Sequence, residues 1–69
     1  MITVKAIYGF CPDEYGDPLE WWFTVFSTAG EAKNYVQGSQ EENEEKIKEF
    51  IDWVRGKHPE EEVIDCTGI

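Results

Sequence analysis

Few side chains in this sequence are equipped for covalent or metal chemistry. The chain has two cysteines, Cys11 and Cys66, and a single histidine, His58. A thiolate beside an imidazole makes a nucleophile–base pair, but no recurrent nucleophile signature surrounds either cysteine. His58 stands next to Pro59 just past a helical pattern, where an imidazolium would meet the negative end of a helix. Zinc would need an acid to complete a tetrahedral set with Cys11, Cys66 and His58. Asp13, Glu14 and Asp17 offer hard oxygen ligands in one loop, yet Tyr15 and Gly16 interrupt the spacing of an EF-hand. A solvated acidic loop and a surface histidine account for these residues. No enzyme, cofactor or metal site is expected.

The carboxylates carry the stronger signal. Fifteen acidic residues against six basic ones give a net charge of −9. Direct binding to nucleic acid or to an anionic membrane is disfavoured, and a basic protein surface is favoured as partner. Glu41, Glu45, Glu49 and Asp52 form a row along one helix face, with charges roughly 6 Å apart along the axis. Lys46 and Lys48 pair favourably with Glu42 and Glu44 at i, i+4, while the row itself has no base in line with it. The loop acids Asp13, Glu14, Asp17 and Glu20 make a second cluster, and Glu60, Glu61, Glu62 and Asp65 a third.

These charges need a frame to hold them. Ser39 to Pro59 is the most legible part of it: Ile47, Phe50, Ile51 and Val54 fall at i, i+3, i+4 and i+7, one face of a helix over about 40–55. Ser39 and Glu42 form a capping box, Gly56 is placed to end the helix, and Pro59 forbids continuation. Residues 2–10 alternate as a half-buried strand, with Ile2, Val4, Ala6, Tyr8 and Phe10 on one face. Cys11 to Pro18 is a loop. Residues 19–27 form a second strand, with Leu19, Trp21, Phe23 and Val25 on the core face and Glu20, Trp22, Thr24 and Phe26 on the other. The two strands pair antiparallel. Glu61 to Thr67 reads as a last short strand.

Thr28 to Gly38 is ambiguous. Thr28 and Glu31 fit a capping box, and Ala29, Ala32 and Val36 a short helix; the rival is a turn at 29–31 and a strand over Lys33–Gln37. The helix is preferred, which gives an α+β fold of order β-β-α-α-β; the alternative is β-β-β-α-β. In the first order the last strand runs parallel to the first and brings Cys11 and Cys66 to one end of the sheet. The second order is expected to reverse that strand and separate them.

At 69 residues the chain has the size of one small domain. It contains no apolar run long enough for a membrane span. MITVKAIYGF lacks the charged start and cleavage site of a signal peptide, and two cysteines are too few for a disulfide framework, so a cytosolic protein is expected.

In size and charge, with no motif to carry the likeness, the chain resembles the small acidic phage proteins that block host defence by imitating DNA, the anti-restriction and anti-CRISPR inhibitors. The resemblance implies a non-enzymatic inhibitor, acting in the host cytoplasm, that occupies the basic nucleic-acid channel of its target. Duplex DNA carries one charge per 1.7 Å of axis, so one row is too sparse and all three acidic clusters would have to share a side. Glu41, Glu45, Glu49 and Asp52 would bind, assisted by Asp13, Glu14, Asp17 and Glu20, with Trp22 and Phe26 as apolar anchors. The alternative is an interaction or weak homodimer module that binds through the sheet face of Trp22, Phe26 and Ile7, its charge serving solubility alone.

Overall fold

The structure, a computed structural model, describes residues 1–68. It is an α+β arrangement of β1 (Ile2–Pro12), β2 (Pro18–Ser27), β3 (Ala32–Val36), α1 (Gln40–Lys57) and β4 (Val63–Asp65). The strands form one sheet of order β3-β2-β1-β4. β1 pairs antiparallel with β2, β2 antiparallel with β3, and β1 parallel with β4.

The apolar stripe of α1 closes the core. Ile47, Phe50, Ile51 and Val54 are buried against Ile2, Val4, Phe23, Val25 and Val63. Ser39 caps the helix: the Glu42 amide donates to its Oγ at 3.2 Å, and the hydroxyl donates to Glu42 Oε1 at 3.1 Å. The helix runs past Gly56 and is capped at His58, whose amide donates to the Val54 carbonyl at 3.0 Å.

The preferred helix over Thr28–Gly38 is wrong, and the rival strand is right. Three features overrule the capping box. The buried Ser27 hydroxyl, not that of Thr28, takes the free amides of the turn, accepting from Ala29 at 3.1 Å and Glu31 at 3.3 Å. Gly30 sits at φ 106°, which reverses the chain at a position costly for any other residue. Tyr35 then stacks on Phe23 across the sheet with centroids 5.2 Å apart. An isolated helix of that length would be marginal, and cross-strand stacking stabilises the strand instead.

The last strand keeps its direction all the same. β3 runs towards the β1–β2 hairpin tip, α1 returns the chain to the base, and β4 starts beside Ile2, parallel to β1. The expectation that a third strand would reverse it fails because a strand makes the same outward journey as a short helix. The meeting of the cysteines also fails. β4 is only three residues long, and the Cys66 amide donates to the Val4 carbonyl at 2.8 Å. Cys11 lies seven residues farther up β1, about 23 Å away at the usual strand rise. Both cysteines are free and exposed.

The sheet outruns its cover. β1 and β2 are 11 and 10 residues long, whereas β3 stops opposite Trp22 and β4 opposite Val4. The distal hairpin therefore projects as a two-stranded arm. The molecule measures 48 × 23 × 19 Å with a radius of gyration of 13.5 Å, against about 11 Å for a compact chain of this length. Phe50→Ala, in the covered half, should cost roughly 3–5 kcal/mol, while Trp21→Ala, on the arm, should cost no more than about 1 kcal/mol. Urea denaturation of the two variants measures the difference.

Candidate partner-binding surfaces

Glu41, Glu45, Glu49 and Asp52 are all exposed, on the side of α1 opposite its apolar stripe. The cations of the helix lie on its flanks. Lys46 Nζ donates to the Val36 carbonyl at 3.0 Å on one side, and Lys57 sits over the Trp53 ring at 4.5 Å. Asp52 is not free of bases, as Arg55 Nη1 approaches its Oδ1 at 3.8 Å. That pair is exposed and contributes little to stability. Glu49 faces the β3 flank: burial first, and its negative charge second, raise the Tyr35 hydroxyl above its ordinary range.

The other acids are distributed along the length of the molecule. Asp13, Glu14 and Asp17 form the hairpin tip, where Asp13 Oδ1 accepts the amides of Tyr15 at 2.8 Å and Asp17 at 3.0 Å. Asp13 is thus committed to shaping the turn. Glu62 lies at the opposite end, its carbonyl accepting the Ile2 amide at 2.8 Å. The length of β1, about 33 Å, separates these two clusters. Glu20 departs from the group: it lines a cleft of about 390 Å³ on the sheet face away from α1, together with Cys11, Trp22 and Asn34. The carboxylates therefore form a file along the long axis, with Glu20 turned to the other face, and not one patch.

Trp22 and Phe26 do lie on the sheet face that α1 leaves bare, but both are half-buried. Trp22 pairs with Gly9, and its indole lies so close that a Cβ on Gly9 would meet it at 3.1 Å. A glycine opposite an aromatic lets the ring fold down onto the backbone. The aromatics of the sheet that stand open are on the helix-bearing face instead. Beyond the reach of α1, Phe10 and Trp21 pack together with centroids 5.2 Å apart, yet Trp21 remains 53% exposed and neighbouring Leu19 74%. The alternation of β2 placed Leu19 and Trp21 on the core face correctly. It could not say that the core would stop before reaching them. Strand length set against helix length is the signal that finds this shelf.

His58, Glu31 and Ser27 come together at the base, an arrangement no motif announced. Ser27 Oγ donates to Glu31 Oε1 at 2.5 Å, and His58 Nε2 lies 3.0 Å from Glu31 Oε2. The carboxylate stands between the hydroxyl and the imidazole, so Ser27 has no histidine base and the order of a hydrolytic triad is absent. The cluster instead ties the β2–β3 turn to the C-terminal end of α1. Among the described residues, no group of three or more His, Cys, Asp or Glu side chains could hold a metal ion. No helix of the described residues is long and apolar enough to cross a membrane.

The chain matches no protein-family model, and it matches neither a curated protein nor a solved structure.

Hydrogen bonds from Ser27 and then His58 lower the Glu31 carboxyl from 4.5 to about 2. The folded state thus prefers Glu31 ionised. Its contribution to stability is complete above about pH 4.5 and is lost as the pH falls through about 2. Glu31→Gln should be less stable than the parent at neutral pH, and the two stabilities should converge as the pH drops across that window. Urea midpoints measured at several pH values check this.

Proposed function

We propose that the protein is a non-enzymatic binding protein that lays its acidic length along a basic surface of a partner, and that this surface is a nucleic-acid-binding groove which the protein blocks. The observation that supports this reading is the file of carboxylates along a narrow 48 Å axis, from Asp13, Glu14 and Asp17 over Glu41, Glu45, Glu49 and Asp52 to the base. Lys46 and Lys57 are drawn aside by the Val36 carbonyl and the Trp53 ring, and Arg55 approaches Asp52 alone of the row, so the crest of α1 stays negative. Its charge density is below that of a nucleic acid, which has one phosphate per 3.4 Å of each strand. Occupation of a groove by shape and charge together fits this better than a close copy of a duplex.

A second reading rests on the exposed shelf of Phe10, Trp21 and Leu19. An apolar surface of this kind suits a protein partner or a second copy. It replaces Trp22 and Phe26 as the apolar contact, and the charge then serves solubility.

Salt separates the two. A partner captured from host lysate through the acidic file should dissociate steeply as salt rises, whereas capture through the shelf should change little. Charge reversal of Glu41, Glu45, Glu49 and Asp52 to Lys should weaken capture by roughly tenfold or more with native circular dichroism. Undiminished capture by that variant would sink the acidic reading. Loss of capture on replacing Trp21 and Leu19 with Ser, with no salt dependence, would establish the shelf.

A further inference from the structure

The two edges of the sheet are treated differently. Along the outer edge of β3, Lys46 donates to the Val36 carbonyl, and Lys33 belongs to the strand itself. Lysines and capped carbonyls discourage the addition of another strand. Among the described residues, no lysine caps a carbonyl of the opposite edge. β4 pairs only with Ile2, Thr3 and Val4, and β1 continues beyond it to Pro12.

The hydrogen-bond parity of β1 shows what this stretch offers. Thr28 donates to Thr3, so odd residues of β1 address β2. Ile2 and Val4 bond to Glu62 and Cys66, so even residues address the other edge. Ala6, Tyr8 and Phe10 therefore turn their amides and carbonyls outward, past the end of β4, along a stretch with no charged side chain and no proline. The side chains of these even residues lie on the helix-bearing face and that of Ile7 on the other, where it is exposed. Between this edge, the first turns of α1 and the residues Thr67 and Gly68 that follow β4 is a cleft of about 600 Å³, with Tyr8 and Ile47 as apolar lining and Glu44 as its acid.

The geometry points to the edge of β1 from Ala6 to Phe10 as a strand-addition site for an extended, basic segment of a partner protein. Added side chains on the helix face would lay an aliphatic stem across Tyr8 and carry a cation to Glu44. Those on the other face would meet Ile7 and Gly9, so a segment alternating basic and apolar residues fits. Asp13 and Asp17 at the far end of the open edge extend the same preference, whereas Asp65 at the near end shares its cleft with Lys48 and Arg55 and adds little to it. A second copy fits less well: self-pairing about Tyr8 would set the acidic tip of each chain against Asp65 of the other, between molecules of net charge −9. The inference rests on the acidic-binding reading and gives it a backbone-mediated mode.

A Lys-Val-Lys-Val-Lys-Val-Lys peptide is the probe, with two relatives N-methylated either on every Lys or on every Val. A strand that joins β1 presents alternate amides to it, so one methylated peptide should bind roughly tenfold more weakly than the other. The unmethylated peptide should slow amide exchange at Ala6, Tyr8 and Phe10 about tenfold. Phe10→Pro, which removes an outward amide and no bond to β2, should weaken it comparably. Equal affinity of the two methylated peptides overturns the edge site; if binding is then lost on charge reversal of the α1 row, the acidic-surface reading survives. No binding of any of the peptides also overturns the edge site, and capture of a basic partner then decides the broader reading by itself. Concentration-dependent protection of Tyr8 and Phe10 without peptide assigns the edge to a second copy and overturns the basic occupant.

Discussion

The rest of the structure depends on one apolar stripe. Ile47, Phe50, Ile51 and Val54 of α1 are the only helical side chains buried in the core, and they cover the sheet over a limited length. An 18-residue helix spans about 27 Å, but its apolar face begins only at Ile47. Everything the stripe reaches is core: Val4, Phe23 and Val25 lose all exposure. What it does not reach on the same face of the same strands is shelf: Phe10, Trp21 and Leu19. The boundary between fold and candidate interface is the N-terminal end of that stripe.

Charge follows the same geometry. A helix that buries one face must present the other, and the residues opposite the stripe are Glu41, Glu45, Glu49 and Asp52. The elongated frame sets the acids of the hairpin tip and those of the base far enough apart for their mutual repulsion to be screened at physiological salt. A more compact fold would have crowded the same charges. The arm thus serves a chain of net charge −9 in two ways: it relieves repulsion, and it exposes a sheet edge.

Polar contacts reinforce the apolar core at the base. Ser27, Glu31 and His58 fix the β2–β3 turn to the end of α1, and no buried side-chain polar atom among the described residues lacks a partner. This is why the turn over Thr28–Gly30 can be so tight and still precede a strand.

Local periodicity was enough for much of this. The helical spacing of Ile47, Phe50, Ile51 and Val54 determined α1 and its buried face, and alternation determined β1, β2 and which residues share a side. The acidic crest followed directly, because on a helix the face opposite a known core is known too. Periodicity could not choose between helix and strand for Thr28–Gly38, where a capping-box pattern and a strand pattern overlap. That choice fell to Ser27, Gly30 and the stacking of Tyr35 on Phe23, contacts that exist only once β2 is in place. Exposure was likewise beyond the sequence. Whether Trp21 or Trp22 stands open depends on how far α1 extends over the sheet and on Gly9 lying beneath an indole. The separation of Cys11 and Cys66 depends on where β4 stops. Pattern along the chain fixes which way a side chain points, but only the packing of distant segments fixes what it meets there.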